Sequence, residues 1–416
     1  MQNREQINNQ GWQLWSQGRR AEAFPYFLRA AEMGQREAQA NLAYAYFLGT
    51  GTAKNMGKVF YWYQKSAEQG CAAGINGLGW CYEAEIGVEK DMFKAFSLYL
   101  RAAEMGHATA QANVANCYAN GQGADIFPRE AVRWYQKSAE QKDAGGQCGL
   151  GWCYEKGFGV PKDLEKACRL YRLAAEQGNA AAQFNLGYCY ANGLGTEKDY
   201  GAAVYWYEKA AEQNYVKALC NLGCCYDCGC GVPKDRERAF GLFHHAAELG
   251  DVQSMANVGN CYAYGWGTKK DPQKAVYWYT KAAEQDHADG RFGLAWCYER
   301  GYGVPQDLAK AFRLYRIAAE QDNSTAQANL GMFYLNGTAT GKDPEKAVYW
   351  LKKAAAQGNA HGIFCLGWCY ESGSFVCMDL KKALVHYKKA MDMGHEDARK
   401  YYHNLAARMG GNAASK

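Results

Sequence analysis

Small and apolar residues recur along the chain at helical spacing, in blocks that repeat every 36 residues. In the block 179–214, Leu186 and Tyr190 have the spacing of one helix face. A G-x-G loop follows, and then Asp199, whose carboxylate can accept hydrogen bonds from the free amides of a helix start. A second run with the same spacing closes the block. Each block therefore predicts two helices joined by a glycine-containing loop.

Ten such blocks follow one another without a gap over residues 35–394. One helical hairpin cannot bury its apolar face alone, so the hairpins must stack on their neighbours. The pattern therefore predicts an all-α solenoid of stacked antiparallel helix pairs. The blocks begin at Gln35, Cys71, His107, Asp143, Asn179, Tyr215, Asp251, His287, Asn323 and Asn359.

The order A-x-x-x-L-G-x-x-Y-x-x-G-x-G-V-x-x-D-x-x-K-A, followed by Y-x-x-A-A-E-Q-G, resembles the Sel-1-like repeat, a longer-looped relative of the tetratricopeptide repeat. Residues 143–178 match this pattern almost throughout. The departures are local, since Asn55 and Phe127 replace the Asp that precedes the second helix elsewhere. The resemblance implies a right-handed superhelix of hairpins that acts as a scaffold or adaptor for other proteins.

The ends of the chain differ from the repeated blocks, as a solenoid requires. We predict an N-terminal capping hairpin within residues 1–34, with its helices over residues 9–34, and ten repeats over 35–394. A C-terminal capping helix followed by a loose tail is expected within 395–416.

A second period, twice as long, is superimposed on the first. Odd blocks, counted from Gln35, carry a Trp in the second helix, whereas even blocks carry W-C-Y-E in the first helix. The functional unit is therefore predicted to be a pair of hairpins. The odd-block tryptophans are Trp62, Trp134, Trp206, Trp278 and Trp350, 72 residues apart.

Charge and hydropathy exclude several classes of partner. The net charge of +5 comes from 47 basic and 42 acidic residues in mixed order, which argues against nucleic acid. No run of about 18 apolar residues exists, so we expect no membrane insertion. The polar start MQNREQINNQ does not resemble a signal peptide. We therefore expect a cytoplasmic protein, with export that needs no cleaved signal left open.

The chain contains 17 cysteines, and eight of them share one slot beside the core Tyr of the first helix. We expect these eight to be buried, reduced thiols. The resemblance supports this, because the secreted, cysteine-rich branch of the Sel-1-like repeat family has paired cysteines in each repeat and this chain lacks that arrangement. A denser cluster runs from Cys220 to Cys230. It could hold a metal or redox pair through Cys224, Cys225 and Cys228, but no second ligand pair lies nearby, so we predict no metal and no cofactor.

The candidate binding residues lie in rows on the first helices, which line the concave face of tetratricopeptide-like stacks. Even blocks place a Trp and an acid three residues apart on one helix face, and odd blocks place an Asn there. The Trp–acid rows are Trp80, Glu83, Trp152, Glu155, Asp227, Trp296, Glu299, Trp368 and Glu371, with Cys224 interrupting the Trp row. The Asn row is Asn41, Asn113, Asn185, Asn257 and Asn329.

These rows suit an extended peptide that carries Lys or Arg, because acids and Trp faces attract cations and amides bond a peptide backbone. The alternative is that the Trp rings only pack between helices and the acids are solvated. No nucleophile, base and acid converge in the pattern, so we predict a non-catalytic, monomeric scaffold that binds proteins or peptides. Two alternatives remain at this point: a β-lactam-hydrolysing enzyme like cysteine-rich relatives, or a self-assembling structural element.

Overall fold

The computed structural model describes residues 3–373 and 376–411 of the chain. Over these residues it contains 23 helices and no strand, and within each of the two units described below each helix packs on the next one in sequence. The predicted all-α fold of paired helices is therefore confirmed. The chain divides into two compact units, Met1–Tyr215 and Val216–Lys416. Residues 412–416, at the end of the predicted tail, lie outside the described residues.

Unit 1 consists of six hairpins. Its first hairpin begins at Arg4, earlier than residue 9, because Asn3 and Gln6 form a reciprocal capping box there. The helices are α1 (Arg4–Ser16), α2 (Arg20–Glu32), α3 (Arg36–Leu48), α4 (Met56–Glu68), α5 (Ala72–Ala84), α6 (Met92–Glu104), α7 (Ala108–Asn120), α8 (Pro128–Glu140), α9 (Ala144–Lys156), α10 (Leu164–Glu176), α11 (Ala180–Asn192) and α12 (Tyr200–Ala211).

Unit 2 continues the pattern with five hairpins and a closing helix. The closing helix α23 covers the last hairpin, and its Leu405 is buried against Tyr387. The helices are α13 (Val216–Cys228), α14 (Arg236–Glu248), α15 (Val252–Tyr264), α16 (Pro272–Glu284), α17 (Ala288–Arg300), α18 (Leu308–Glu320), α19 (Ser324–Asn336), α20 (Pro344–Ala356), α21 (Ala360–Ser372), α22 (Leu380–Asp392) and α23 (Glu396–Gly411).

Local capping fixes where the second helices begin. Asp163 accepts a hydrogen bond from the amide of Lys166 at 2.9 Å, and the predicted Asp of seven other blocks does the same. Asn55 caps α4 in the same way. Phe127 offers no side-chain acceptor, and α8 instead begins with Pro128, whose backbone has no amide hydrogen to satisfy.

The turn after each second helix requires one residue with a left-handed backbone. Gly178 supplies it after α10, with φ of +86°. Four second helices end without a glycine, and there Lys142, Asn214, Asp286 and Asp322 adopt φ between 58° and 64°. The turn geometry is therefore retained where the sequence does not provide the residue that favours it.

In five of the eleven hairpins, a tyrosine ring of the second helix packs on a glycine of the first helix. In the others alanine takes the place of the glycine, or Phe or Leu takes the place of the tyrosine. In the hairpin of α11 and α12, a methyl group added to Gly187 would lie 2.8 Å from the ring of Tyr207 and 3.1 Å from the carbonyl oxygen of Ala203. Ala203 and Tyr207 are themselves buried. The two helices can therefore approach closely because the residue at this position of α11 has no side chain. The ring from α12 alone fills the space between them.

Neighbouring hairpins are joined by buried glutamines that the sequence pattern did not reveal as functional. The side-chain amide of Gln183 donates to the carbonyl oxygen of Ala175 in the preceding hairpin at 3.2 Å. Its own side-chain oxygen accepts from Gln213 at 2.9 Å. Unit 2 has the same arrangement at Gln327 and Gln357. These bonds satisfy polar groups in the core and fix the register between hairpins.

The glycine–tyrosine contact predicts opposite effects for two Gly→Ala substitutions in unit 2. At Gly259 a methyl group would lie 2.6 Å from the ring of Tyr279, so Gly259→Ala should lower the free energy of unfolding by about 1–3 kcal/mol. At Gly241, inside α14, nothing lies within 4 Å, so Gly241→Ala should raise it by up to about 1 kcal/mol. Urea denaturation followed by circular dichroism measures both, and equal effects would contradict the packing argument.

Candidate binding face

The first helices of the hairpins carry the predicted rows, and we call the surface that these rows form the first-helix face. Trp80 and Trp152 in unit 1 and Trp296 in unit 2 are half-buried, and Trp368 is 40% exposed. Each of the first three packs its ring on another aromatic residue while one part stays open to solvent. The ring centroids lie 4.6 Å apart for Trp80 and Phe47, 5.1 Å for Trp152 and Phe158, and 5.1 Å for Trp296 and Tyr302.

Four of the five acids are held by tyrosine hydroxyls from the second helix of the same hairpin, so the alternative of freely solvated acids is wrong for them. Tyr171 donates to Glu155 at 2.7 Å. The same pairs occur between Tyr99 and Glu83, Tyr315 and Glu299 at 2.6 Å, and Tyr387 and Glu371 at 2.7 Å.

Those tyrosines are the same residues whose rings pack in the hairpin core, and they are almost completely buried. Burial, and then the hydrogen bond with the neighbouring carboxylate, raises the pKa of Tyr171 far above its ordinary value. The hydroxyl therefore remains a proton donor at any physiological pH. The acid therefore has one fixed partner beneath it.

Some of these carboxylates also have a basic partner at the surface. The second oxygen of Glu155 lies 2.6 Å from Lys156 Nζ, and that of Glu371 lies 2.6 Å from an Arg408 nitrogen. The charge that they present to a ligand is therefore partly neutralised. Both partners are more than half exposed, so these outer ion pairs can be exchanged for a ligand at little cost.

Three of the five asparagines of the predicted Asn row form side-chain contacts with a neighbouring first helix. Asn41 donates to Asn8 at 3.1 Å and Asn113 donates to Asn76 at 3.0 Å. Of the other members, Asn185 points to the sulfur of Cys148 at 4.0 Å, Asn257 accepts from Gln253 at 3.5 Å, and Asn329 hydrogen-bonds with Tyr315.

Further asparagines of the odd hairpins were not identified from the sequence. Tyr135 donates to Asn116 at 2.5 Å, and Tyr279 donates to Asn260 at 2.7 Å. In these hairpins an amide takes the role that an acid has in the even ones. The sequence did contain a sign of these pairs, because the second-helix Tyr recurs in nearly every block while the residue that accepts its hydrogen bond alternates between an acid and an asparagine. Whether the hydrogen bond forms depends on the register between the two helices.

A groove of about 740 Å³ runs along the first-helix face of unit 1, between α1, α3, α5 and α7. It brings together the predicted Trp80, Asn41 and Asn113 with residues of α1 that the repeat pattern did not single out. Its main lining residues are Trp12, Trp15, Asn41, Tyr44, Phe47, Asn76, Trp80, His107, Thr109 and Asn113.

A smaller groove of about 280 Å³ follows on the same face, between α7, α9 and α11. It contains the predicted Trp152 and Asn185 together with Asn116 and Asn120. The thiol of Cys148 also lines it, but burial raises the pKa of this thiol to about 12. The thiol is therefore protonated near neutral pH and is a poor nucleophile.

The eight cysteines that share one slot are free and buried, as expected: Cys81, Cys117, Cys153, Cys189, Cys225, Cys261, Cys297 and Cys369. In the dense cluster Cys228 forms a disulfide with Cys230. Cys228 is therefore not available for a two-thiol site with Cys224. Across the described residues, no three His, Cys, Asp or Glu side chains are arranged to hold a metal ion.

Comparison with known proteins agrees with this geometry. The family described as Sel1 repeat matches eleven consecutive segments, 20–35, 36–71, 72–107, 108–143, 144–179, 180–215, 216–251, 252–287, 288–323, 324–359 and 361–395. The chain belongs to the Sel1 repeat family. No curated protein matches it. None of the described helices is long and apolar enough to cross a membrane.

Two solved Sel1-type structures are similar to this chain. One is c5321, a protective antigen of uropathogenic Escherichia coli strains, with 34% identity and a TM-score of 0.66 over 92% of this chain and 82% of that one. The other is a Sel1 repeat protein from Oxalobacter formigenes, with 37% identity and a TM-score of 0.55 over 59% of this chain and 96% of that one. Both likenesses support a Sel1 repeat solenoid.

The tyrosine–acid pair can be tested by a double-mutant cycle on Tyr171 and Glu155. We expect Tyr171→Phe to lower the free energy of unfolding by about 1–3 kcal/mol, because it leaves a half-buried carboxylate without its donor. In the background of Glu155→Ala, where the acceptor is absent, the same substitution should have a smaller effect. Tyr205→Phe, at an exposed position of α12, is the control and should change stability by less than about 0.5 kcal/mol. Equal losses in both backgrounds would rule out the coupling.

Proposed function

We propose that this protein is a non-catalytic scaffold whose first-helix face binds an extended segment of another protein. The observation that carries the proposal is the groove between α1, α3, α5 and α7, where aromatic walls and side-chain amides alternate. Aromatic residues supply large contact areas at binding sites, and amides fix the orientation of a bound backbone.

The aromatic residues of this groove are unusually open for their size. Trp12 is 54% exposed and Tyr44 is 44% exposed, although both lie beside large apolar neighbours. Trp15 bridges them to the core, with its ring centroid 5.9 Å from that of Tyr44 and 5.8 Å from that of Phe27. Exposed aromatic surface of this kind is typical of a binding site, where a partner's apolar side chains remove it from water.

The amides of the groove have bonding capacity beyond the bonds that join them. Asn113 uses one N–H to reach Asn76, and Asn41 uses one to reach Asn8. A side-chain amide offers two N–H donors and an oxygen with two lone pairs, so each can also bond a peptide group. Neighbouring helices lie about 8–10 Å apart and an extended chain rises about 3.3 Å per residue, so one hairpin corresponds to about three peptide residues.

The acids determine which charge the proposed ligand must carry. Glu83 and Glu155 hold negative charge on the same face of unit 1, two hairpins apart. Lys or Arg side chains of the ligand, about six residues apart, would satisfy both and could displace the exposed Lys156 from Glu155. We further propose that the protein acts as a monomer in the cytoplasm, because fifteen of its 17 cysteines are free thiols and Cys228 and Cys230 form the one pair.

Selection from a random library of displayed 12-residue peptides on the full chain tests this function. We expect enriched peptides to combine apolar or aromatic residues with Lys or Arg, and to bind the wild type in a fluorescence anisotropy titration. Trp80→Ala combined with Asn113→Ala should weaken binding at least tenfold, because both side chains line the groove.

The control variant is Tyr205→Ala, which removes an exposed aromatic residue from α12, away from the groove. It should bind with wild-type affinity, and circular dichroism should give the same helix content for all three proteins. Failure to enrich any peptide, or equal affinity of the groove variant and the wild type, would refute the proposed function. A peptide that binds equally well after Glu83→Gln and Glu155→Gln would refute the role of the acids.

A further inference from the structure

The hairpin of α13 and α14 is the even hairpin in which the tyrosine–acid pair is missing. Its acid is Asp227, one methylene shorter than the Glu of the other even hairpins, and its second-helix ring is Phe243, which has no hydroxyl. Phe243 is buried, and its ring lies on Gly223 in the way that Tyr171 lies on Gly151. The core packing is therefore retained, while the donor to the acid has been lost.

Two further residues of this hairpin differ from their counterparts. Cys224 stands where the other even hairpins have Trp. Arg236 stands at the start of α14, where they have Met92, Leu164, Leu308 and Leu380. Arg236 Nε lies 3.2 Å from Asp227 Oδ1, and its guanidinium lies 5.1 Å from the ring centroid of Trp266. The acid thus has a partner at the surface and none from the core beneath it.

These substitutions border a cavity of about 270 Å³ in unit 2, between α13, α14 and α15. Phe243 and Trp266 form its apolar walls, Asp227 and Arg236 form its polar rim, and Asn257 and Asn260 lie on the α15 side. Sites for drug-sized ligands are typically about 300–1,000 Å³, so this cavity suits a single side chain rather than a cofactor.

We propose that this cavity binds the side chain of a tyrosine of the bound partner, with the phenol hydroxyl donating to Asp227. This inference rests on the proposed function, since it supplies one anchor for a bound peptide. The chain itself uses a buried tyrosine hydroxyl to satisfy the acid in four other even hairpins. In this hairpin the partner's tyrosine would supply, on its own ring, the hydroxyl that Phe243 lacks.

The charges at the rim favour tyrosine over the other candidates. A Lys or Arg side chain would approach Asp227 but would be repelled by Arg236, which lies against the same carboxylate. A Phe side chain would fill the apolar walls but would leave the free lone pairs of the carboxylate facing an apolar ring. A phenol satisfies both requirements, because its ring contacts Phe243 and Trp266 while its hydroxyl reaches the acid beside Arg236.

The test uses the full chain and three labelled pentapeptides, acetyl-Ala-Ala-Xaa-Ala-Ala with Tyr, Phe or Lys at the centre. In fluorescence anisotropy titrations we expect the Tyr peptide to bind about tenfold more tightly than the Phe peptide, because one hydrogen bond to a charged group increases affinity by about this factor. The Lys peptide should bind more weakly than the Tyr peptide. Asp227→Ala should remove the preference for Tyr over Phe.

Phe243→Tyr is the decisive variant. It places a hydroxyl where the other even hairpins have one, so it should fold normally, and this hydroxyl should compete for Asp227 and weaken binding of the Tyr peptide at least tenfold. Tyr349→Phe is the matched control, because it removes a hydroxyl from an exposed tyrosine in another hairpin of the same unit. This control should leave peptide binding unchanged, and circular dichroism should report equal helix content.

Equal affinity for the Tyr and Phe peptides, or unchanged binding by Phe243→Tyr, would overturn the proposal. The two proposals can fail separately. If library peptides bind the groove of unit 1 but the Tyr pentapeptide does not bind, the cavity is not a tyrosine site and the proposed function stands. If the Tyr pentapeptide binds and responds to Phe243→Tyr while no library peptide is enriched, the scaffold function falls and the tyrosine site stands.

Discussion

The contact between a large second-helix side chain, most often tyrosine, and a small first-helix residue, glycine or alanine, is the constraint on which the rest of this structure depends. A methyl group on Gly151 would lie 2.9 Å from the ring of Tyr171, so the two helices can pack at this distance only because glycine has no side chain. The ring then reaches through the hairpin and brings its hydroxyl to the first-helix face. One residue therefore determines both how the helices pack and which polar group stands behind the binding face.

This double role explains why the face changes every second hairpin while the core does not. The tyrosine ring repeats in both kinds of hairpin, but its hydroxyl meets Glu155 in an even one and Asn116 in an odd one through Tyr135. An acid and an amide are both good acceptors, so the core tolerates either. The charge of the face can therefore vary without any change to the packing beneath it.

Distinctive surface features arise where the repetition is interrupted. The groove of unit 1 includes the first hairpin, where α1 adds Trp12 and Trp15 outside the ten blocks. The cavity of unit 2 lies where Asp227, Phe243 and Arg236 replace the usual residues of an even hairpin. A regular solenoid offers similar surfaces many times, so specificity for one partner requires departures of this kind.

The sequence alone was enough to predict the helical hairpins and their period. These features depend on interactions three or four residues apart, such as the cap that Asp163 forms with Lys166, and such interactions appear as fixed spacings in the chain. It was also enough to predict that the Trp, acid and Asn rows lie on the first helices. The eight buried cysteines followed from their shared slot.

Only the tertiary structure decided what those side chains bond to. Tyr171 and Glu155 are 16 residues apart, Gln213 and Gln183 are 30 apart, and Asn113 and Asn76 are 37 apart. Whether such residues meet depends on the register and distance between helices, which side-chain volumes set across the whole hairpin. The missing hydroxyl of Phe243 was visible in the sequence, but the cavity beside it follows from the positions of three helices.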